Sequence, residues 1–357
     1  MPVWSIREVR DNDIMGIARL RTEIKEFRPI SIDGYVSFWR WLIKANLHSI
    51  QRAIIAVKGD EVIAHYAMVP FGFLGNGKPL MGGFLCQLMV AEAYRRDLIF
   101  PKMEMKFINE YRQGGYDFIY SLSNRPHVVK AHLAFGFTKI GDIPVYARPM
   151  RLSNLVSHFI KDRLLLSLLR LPLYLIEMPF KLNISFTDKK VEIVEVERFE
   201  EGMDEFFQDV KSSFTCIAMR DHGILNWRFQ GYEDAKFIRL LAKEEGRICG
   251  YAVVRRLTMK GFDVLAIVDI MFFPSHQEVG NALLHAVHRR AVEMRVEMVA
   301  CLINPHSPIF RVFKRHGYLK TPESFTLFLH EPRSTSPSLR DIPIDKWHIT
   351  WFDNDSV

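Results

Sequence analysis

Two adjacent guanidinium groups, Arg95 and Arg96, sit where an apolar run gives way to an amphipathic helical pattern, in Val90-Ala-Glu-Ala-Tyr94-Arg95-Arg96-Asp97-Leu98-Ile99-Phe100-Pro101-Lys102-Met103. The chemistry such a corner offers is anion binding. The first N–H groups of a helix lack intrahelical partners and converge on one point, and the two arginines add charge suited to a diphosphate. A second candidate is Asp269, alone among apolar residues in Ala266-Ile-Val-Asp269-Ile-Met-Phe272. A carboxylate buried there is costly unless paired or functional. Other patterns carry less. Gly72-Phe-Leu-Gly-Asn-Gly77-Lys78 begins like a phosphate-binding P-loop, but Pro79 replaces the required Ser or Thr. Asn76-Gly77 between two apolar runs reads instead as a hairpin turn. His285 and His288 lie three apart on a helical pattern without a third ligand close by, so no metal site is expected.

The elements that must position these groups come twice. In the first half Trp41 is followed by an apolar strand, a turn at Gly59-Asp60 and a second strand; in the second half Trp227 is followed by a strand, a turn around Gly246 and Ile248-Cys-Gly-Tyr-Ala252. Each half then runs through a long apolar strand and a helix, and ends in a short helix stopped by Gly-aromatic, at Gly136-Phe137 and Gly317-Tyr318. Strand, helix, antiparallel meander, helix, strand, helix, strand is a mixed α/β order. The expected organisation is a domain over 1–150, a connector over 151–189, a second domain over 190–335 and a tail over 336–357 that packs on the body.

Bulk properties narrow the class. With 48% apolar and 25% charged residues, 357 residues suffice for two domains with their own cores. The net charge of +7 is spread in small clusters, which suits a phosphorylated small molecule better than a nucleic-acid stripe, so no nucleic acid is expected. Cys86, Cys216, Cys249 and Cys301 lie far apart in apolar runs and read as core thiols of a cytoplasmic protein. The apolar and basic segment 153–182 is expected to be a connector helix, with a peripheral membrane contact as its alternative.

In this order and with these landmarks the chain resembles a tandem GNAT protein, of the acyl-CoA-dependent N-acyltransferase superfamily, over about residues 1–150 and 190–335. The tryptophans and the closing Trp347-His-Ile-Thr-Trp351 resemble a bacterial branch associated with polysaccharide assembly. The resemblance implies an α/β fold of two GNAT-like domains, each a mixed, mostly antiparallel central sheet flanked by helices. The segment Arg95, Arg96, Asp97, Leu98, Ile99, Phe100 is similar to the family's pyrophosphate loop, Arg/Gln-x-x-Gly-x-Gly/Ala entering a helix, although Leu98 and Phe100 stand where the family has small residues. Acetyl-CoA or another acyl-CoA is then the implied co-substrate. The family's preceding strand splays from its neighbour, so Leu88, Met89 and Val90 are implied to offer backbone groups to the pantetheine arm, one N–H stabilising the oxyanion. Asn124 falls where a polar residue often lies near the cofactor. His132, four before Gly136, takes the place of a tyrosine that protonates the departing thiolate, work an imidazole can do.

The second half lacks the basic loop and has Phe313 at the position of His132. Acyl-CoA is therefore expected in the N-terminal domain, with the C-terminal one shaping an acceptor pocket and Asp269 as a candidate base. No GxSxG-type nucleophile is present, so the implied reaction is direct transfer of an acetyl or short acyl group to the primary amine of a small molecule, an amino sugar being one candidate. Two other readings stay open: a catalytically inactive GNAT-like binding or scaffold module, favoured by the missing loop glycines, and a relative of the aminoacyl-tRNA-dependent ligases of cell-wall synthesis, which requires salt-sensitive tRNA binding.

Overall fold

The computed structural model describes residues 4–25, 27, 29–160, 162, 168–169, 171–175, 190–231, 235–332 and 338–355. Most of the expected connector, 151–189, lies outside the described residues. Its described parts include the helix Leu152–Ser157 and the exposed side chains Phe159, Leu168, Leu171, Tyr174 and Leu175. Among the described residues no helix is long and apolar enough to cross a membrane.

One sheet of fourteen strands organises the chain. The first half supplies β1 (Ser5–Glu8), β2 (Arg52–Lys58), β3 (Glu61–Gly75), β4 (Lys78–Val90), β5 (Phe118–Ser123) and β6 (Thr138–Pro149). The second supplies β7 (Val191–Val196), β8 (Cys216–Ala218), β9 (Ile238–Glu244), β10 (Arg247–Met259), β11 (Phe262–Phe272), β12 (Met298–Leu302), β13 (Leu319–His330) and β14 (Trp347–His348). Their order across the main sheet is β1-β2-β3-β4-β5-β13-β6-β12-β11-β10-β9-β7. All pairs on this path are antiparallel except β4–β5 and β11–β12, each of which encloses a helical connection.

The centre of that order is an exchange. β13, the last long strand of the second half, lies between β5 and β6 of the first, while β6 pairs on its other side with β12. Each half thus completes the other's sheet, and neither presents an unpaired inner edge.

Both faces of the first half's sheet are covered, which explains why β3 reads as a near-continuous apolar run. Tyr66 and Met68 face the helices Ile99–Glu110 and Pro126–Ala134 through Met103, Phe107 and Val128. Ala67, Val69, Phe71 and Phe73 face a core that continues into the second half. The β3–β4 link is the hairpin anticipated from Asn76-Gly77, both residues at positive φ, 51° and 75°. The short β8, β14 and the helix His222–Gln230, which carries Trp227, have no counterpart in the sequence expectation. The four cysteines are buried and free.

The segment Trp347–Asp355 is bound tightly to the centre of the molecule. β14 pairs with β8, which in turn pairs with β3. Arg220, fully buried, donates to Asp269 and Asp353 at 3.0 Å each and lies over the Phe352 ring. Arg228 donates to the carbonyls of Trp351, Phe352 and Asn354.

Candidate active site

β4 and β5 pair only from Gly82 to Phe84, against Phe118 to Tyr120; beyond Phe84 the two strands part. On its other edge β5 stays paired, Ser123 opposite Thr326 of β13. The opening is therefore built by divergence within the sheet. Along it, the β5-facing backbone groups of β4 have no ladder partner from β5.

At the mouth of the divergence β4 carries a bulge. Register against β3 passes from Ala67–Cys86 to His65–Met89, so Gln87 and Leu88 oppose the single residue Tyr66. Gln87 takes φ 54°, a left-handed conformation uncommon for a side-chain-bearing residue. Buried side chains hold it. The Trp39 indole N–H donates to His65 Nε2 at 3.1 Å, which leaves the imidazole proton on Nδ1, and Nδ1 donates to the Gln87 carbonyl at 2.9 Å. Burial keeps His65 neutral, with its pKa lowered to about 4.

Two adjoining clefts run along the splayed strands. The outer, of about 330 Å³, is lined by Leu88, Met89, Val90, Arg95, Phe100 and Arg125, among others. The inner, of about 300 Å³, takes in Tyr35, Gln87, Asn124, His132, Arg255 and Asp355. Leu88 and Arg125 border both, and Arg125 Nη1 donates to the Leu88 carbonyl at 3.3 Å.

The basic corner does not block this opening. Leu98 is 64% exposed and adopts φ 55°, the left-handed region that glycine would occupy without strain, at the cap of the helix Ile99–Glu110. Phe100 packs edge-on against Tyr66 and Phe135 and forms part of the cleft wall. Ile99 is buried, whereas Arg96 and Asp97 are exposed and do not line either cleft. Pro101 in the first turn removes one of the free N–H groups of that helix start.

His132 is 1% exposed and borders the inner cleft. Its Nδ1 lies 3.1 Å from Oε1 of the fully buried Glu104, its ring packs on Phe137 and Phe328, and its Nε2 has no hydrogen-bond partner. Glu104, on the apolar face of its helix, is a residue sequence reasoning missed. A charged side chain at a core position of an amphipathic helix was the available signal.

Asp269 is not in either cleft. Its carboxylate accepts from Arg220 Nε at 3.0 Å, Tyr251 OH at 2.6 Å and Thr350 Oγ1 at 2.8 Å. Arg220 foremost overcomes the burial penalty and holds its pKa below the usual value. This carboxylate secures the segment Trp347–Asp355. The carboxylate that does line the inner cleft is Asp355, accepting from Gln87 Nε2 at 2.5 Å, while Tyr35 OH donates to Gln87 Oε1 at 2.9 Å. Next to it, Asn354 Nδ2 donates to the Leu122 carbonyl at 2.7 Å and ties the segment to β5. Nothing local in the sequence marks Asp355, because 268 residues separate it from Gln87.

No protein-family model matches the sequence, and no curated protein matches it. Solved structures do. A GCN5-related N-acetyltransferase from Anabaena variabilis ATCC 29413 superposes with a TM-score of 0.65 at 9% identity, over 92% of this chain and 72% of that one. One from Kribbella flavida gives 0.59 at 13% identity, over 92% and 71%. Saccharomyces cerevisiae N-myristoyltransferase with bound myristoyl-CoA gives 0.64 at 11% identity, over 92% and 83%. The chain has the fold of the GCN5-related N-acyltransferases. At these identities the likeness is one of fold alone.

Proposed function

We propose that this protein is an acyl-CoA-dependent N-acyltransferase whose site lies in the β4–β5 divergence. The observation that carries the proposal is the bulge at Gln87–Leu88 beside two adjoining clefts that share Phe27, Leu88 and Arg125, the outer lined by Arg95 and the inner by Asp355. The residues present fit an acyl-CoA: an unpaired strand edge for the pantetheine amides, Arg95 and the helix start for the diphosphate, and an apolar wall at Phe100 and Met89.

Leu88 points its carbonyl at Arg125 across the opening, and in an extended chain a residue's N–H and C=O share an edge. The Leu88 N–H is thereby assigned to the thioester oxygen, where a fixed donor in a site shielded from water is commonly worth about 3 kcal/mol in the transition state. Asp355 takes the proton of the attacking ammonium, poised by the Tyr35–Gln87 chain. In its imidazolium form, with Nδ1–H held by Glu104, His132 gives its Nε2 proton to the departing sulfur and is left as the neutral imidazole, to be reprotonated from solvent. The acyl group passes straight from sulfur to nitrogen, with CoA thiol and an amide as products. An amino sugar is one candidate acceptor.

Calorimetric titration with acetyl-CoA and longer acyl-CoAs, followed by thiol release with a panel of primary amines, tests the proposal. Binding in the micromolar range with amine-dependent thiol release is expected. Failure of every acyl-CoA to bind overturns it in favour of an inactive scaffold.

A further inference from the structure

We infer that His65, held by Trp39, is a positioning residue of the transfer: through the Gln87 carbonyl it aims the Leu88 N–H at the thioester oxygen. The inference rests on the acyltransferase reading and adds what sets the direction of that donor. A trans peptide is planar, and its C=O and N–H point in opposite directions. The Gln87 carbonyl and the Leu88 N–H belong to one such unit. His65, on β3, draws the carbonyl to its own side with Nδ1 at 2.9 Å. The N–H is thereby turned the other way, away from β3 and toward the opening where β4 and β5 part. The Leu88 carbonyl, which accepts from Arg125 across that opening, gives the same direction independently.

The hold has a single polarity. An indole N–H only donates, so the bond from Trp39 at 3.1 Å requires an acceptor at Nε2 and leaves the imidazole proton on Nδ1, where it meets the carbonyl. The other tautomer would set N–H against N–H and lose both bonds. Both rings are buried, so each bond is made in surroundings of low polarity. Gln87 needs such a hold, because it bears a side chain at φ 54° inside a bulge that interrupts the ladder with β3.

One helix serves both ends of Gln87. Tyr35 and Trp39 lie four apart, hence on one face of the helix Ile32–Trp39. Tyr35 OH donates to the side-chain oxygen of Gln87, whose amide nitrogen donates to Asp355, while Trp39 reaches the Gln87 carbonyl through His65. The oxyanion donor and the base are therefore set from the same stretch of helix, on one wall of the inner cleft.

Infrared spectroscopy of acetyl-CoA isotope-labelled at its carbonyl, bound to the full chain, tests this beside the kinetics of thiol release. In His65→Leu the carbonyl band should move to higher frequency than in the wild type, because the fixed N–H no longer polarises it. kcat should fall roughly a hundredfold, with acetyl-CoA affinity held within about twofold. His65→Asn puts an amide N–H where Nδ1 stands, and should restore the band and bring kcat to within about tenfold of the wild type. Trp39→Phe keeps a ring but frees the tautomer, and should lower kcat about tenfold, which gives a second reading should His65→Leu fail to fold. An unmoved band and kcat in His65→Leu or in Trp39→Phe overturn the inference. Equal losses in His65→Leu and His65→Asn, or affinity falling in step with kcat, also overturn it and leave His65 as a core residue. Absent acyl-CoA binding in the wild-type protein is a separate failure, which removes the acyltransferase reading and this inference with it.

Discussion

Trp41 and Trp227 donate their indole N–H groups to each other's backbone carbonyls, at 2.8 and 3.3 Å, with ring centres 5.9 Å apart and planes 23° from parallel. They are the tryptophans that open the corresponding meanders of the two halves, and their reciprocal bonding joins the halves at the core. Replacing either with Phe retains a ring but strands a buried carbonyl, at a cost of about 1–3 kcal/mol. A double-mutant cycle by urea unfolding should give a coupling above about 0.5 kcal/mol. Because β6 and β13 are exchanged, the same unfolding should be a single transition; two separated transitions would contradict the joint core.

Acid should destabilise the protein below neutrality. Burial lowers His65 and His316 to about 4 and His348 to about 3 from 6.5. The unfolded chain binds these protons at a pH where the folded chain does not, so the stability is present above 6.5 and is lost as pH falls through the window down to 4. Asp353 works oppositely: burial raises it from 3.8 to about 6 despite Arg220, so its contribution is present below 3.8 and lost as pH rises through 6. Three imidazoles outweigh one carboxyl, and the urea midpoint should drop between pH 7 and pH 5. His316→Gln should flatten that dependence.

Leu98 occupies a glycine conformation at the start of the helix that would face the diphosphate. A side chain at positive φ costs about 1–2 kcal/mol, partly offset by the greater unfolded-state freedom of glycine. Leu98→Gly should therefore raise stability by up to about 1 kcal/mol, and by removing bulk beside the N–H groups it should tighten acetyl-CoA binding. Thermal shift and calorimetry read the two effects; weaker binding would argue against a cradle at this corner.

Arg95 and Arg96 should separate in the same assay. Arg95 lines the outer cleft and Arg96 does not. Loss of one charge-assisted contact in Arg95→Ala should weaken acetyl-CoA binding roughly tenfold, less so in high salt. Arg96→Ala should stay within about twofold by the same reasoning.

Proton transfer should show in kcat. Asp355→Asn keeps the Gln87 neighbourhood filled but removes a base, and His132→Gln keeps a polar group near Glu104 but removes an acid. Each should lower kcat roughly a hundredfold with little change in acetyl-CoA affinity. Asp269→Asn, by contrast, should lower stability by leaving Arg220 short of charge, as urea unfolding will report.

From sequence alone the α/β class, the meander order, the Asn76-Gly77 hairpin and the strand–loop–helix corner at Arg95 were legible. Each is set by local propensity and periodicity over a few neighbouring residues. The site was legible in part. Leu88, Met89 and Val90 do line a cleft, because a strand leading into a basic helix start is a local pattern, and Leu98 was visible as a departure though not as a left-handed cap. The rest came only from tertiary structure. Which carboxylate reaches the cleft turned on Arg220 and Arg228 holding the segment Trp347–Asp355: a cation that engages Asp269 fixes that carboxylate in the core and delivers Asp355, far along the chain, to Gln87. Strand exchange and the bulge locked by His65 are likewise contacts between residues distant in sequence. Periodicity says which face of an element is buried; it does not say against what, and the lining of a cleft in a divergent sheet depends on that second answer.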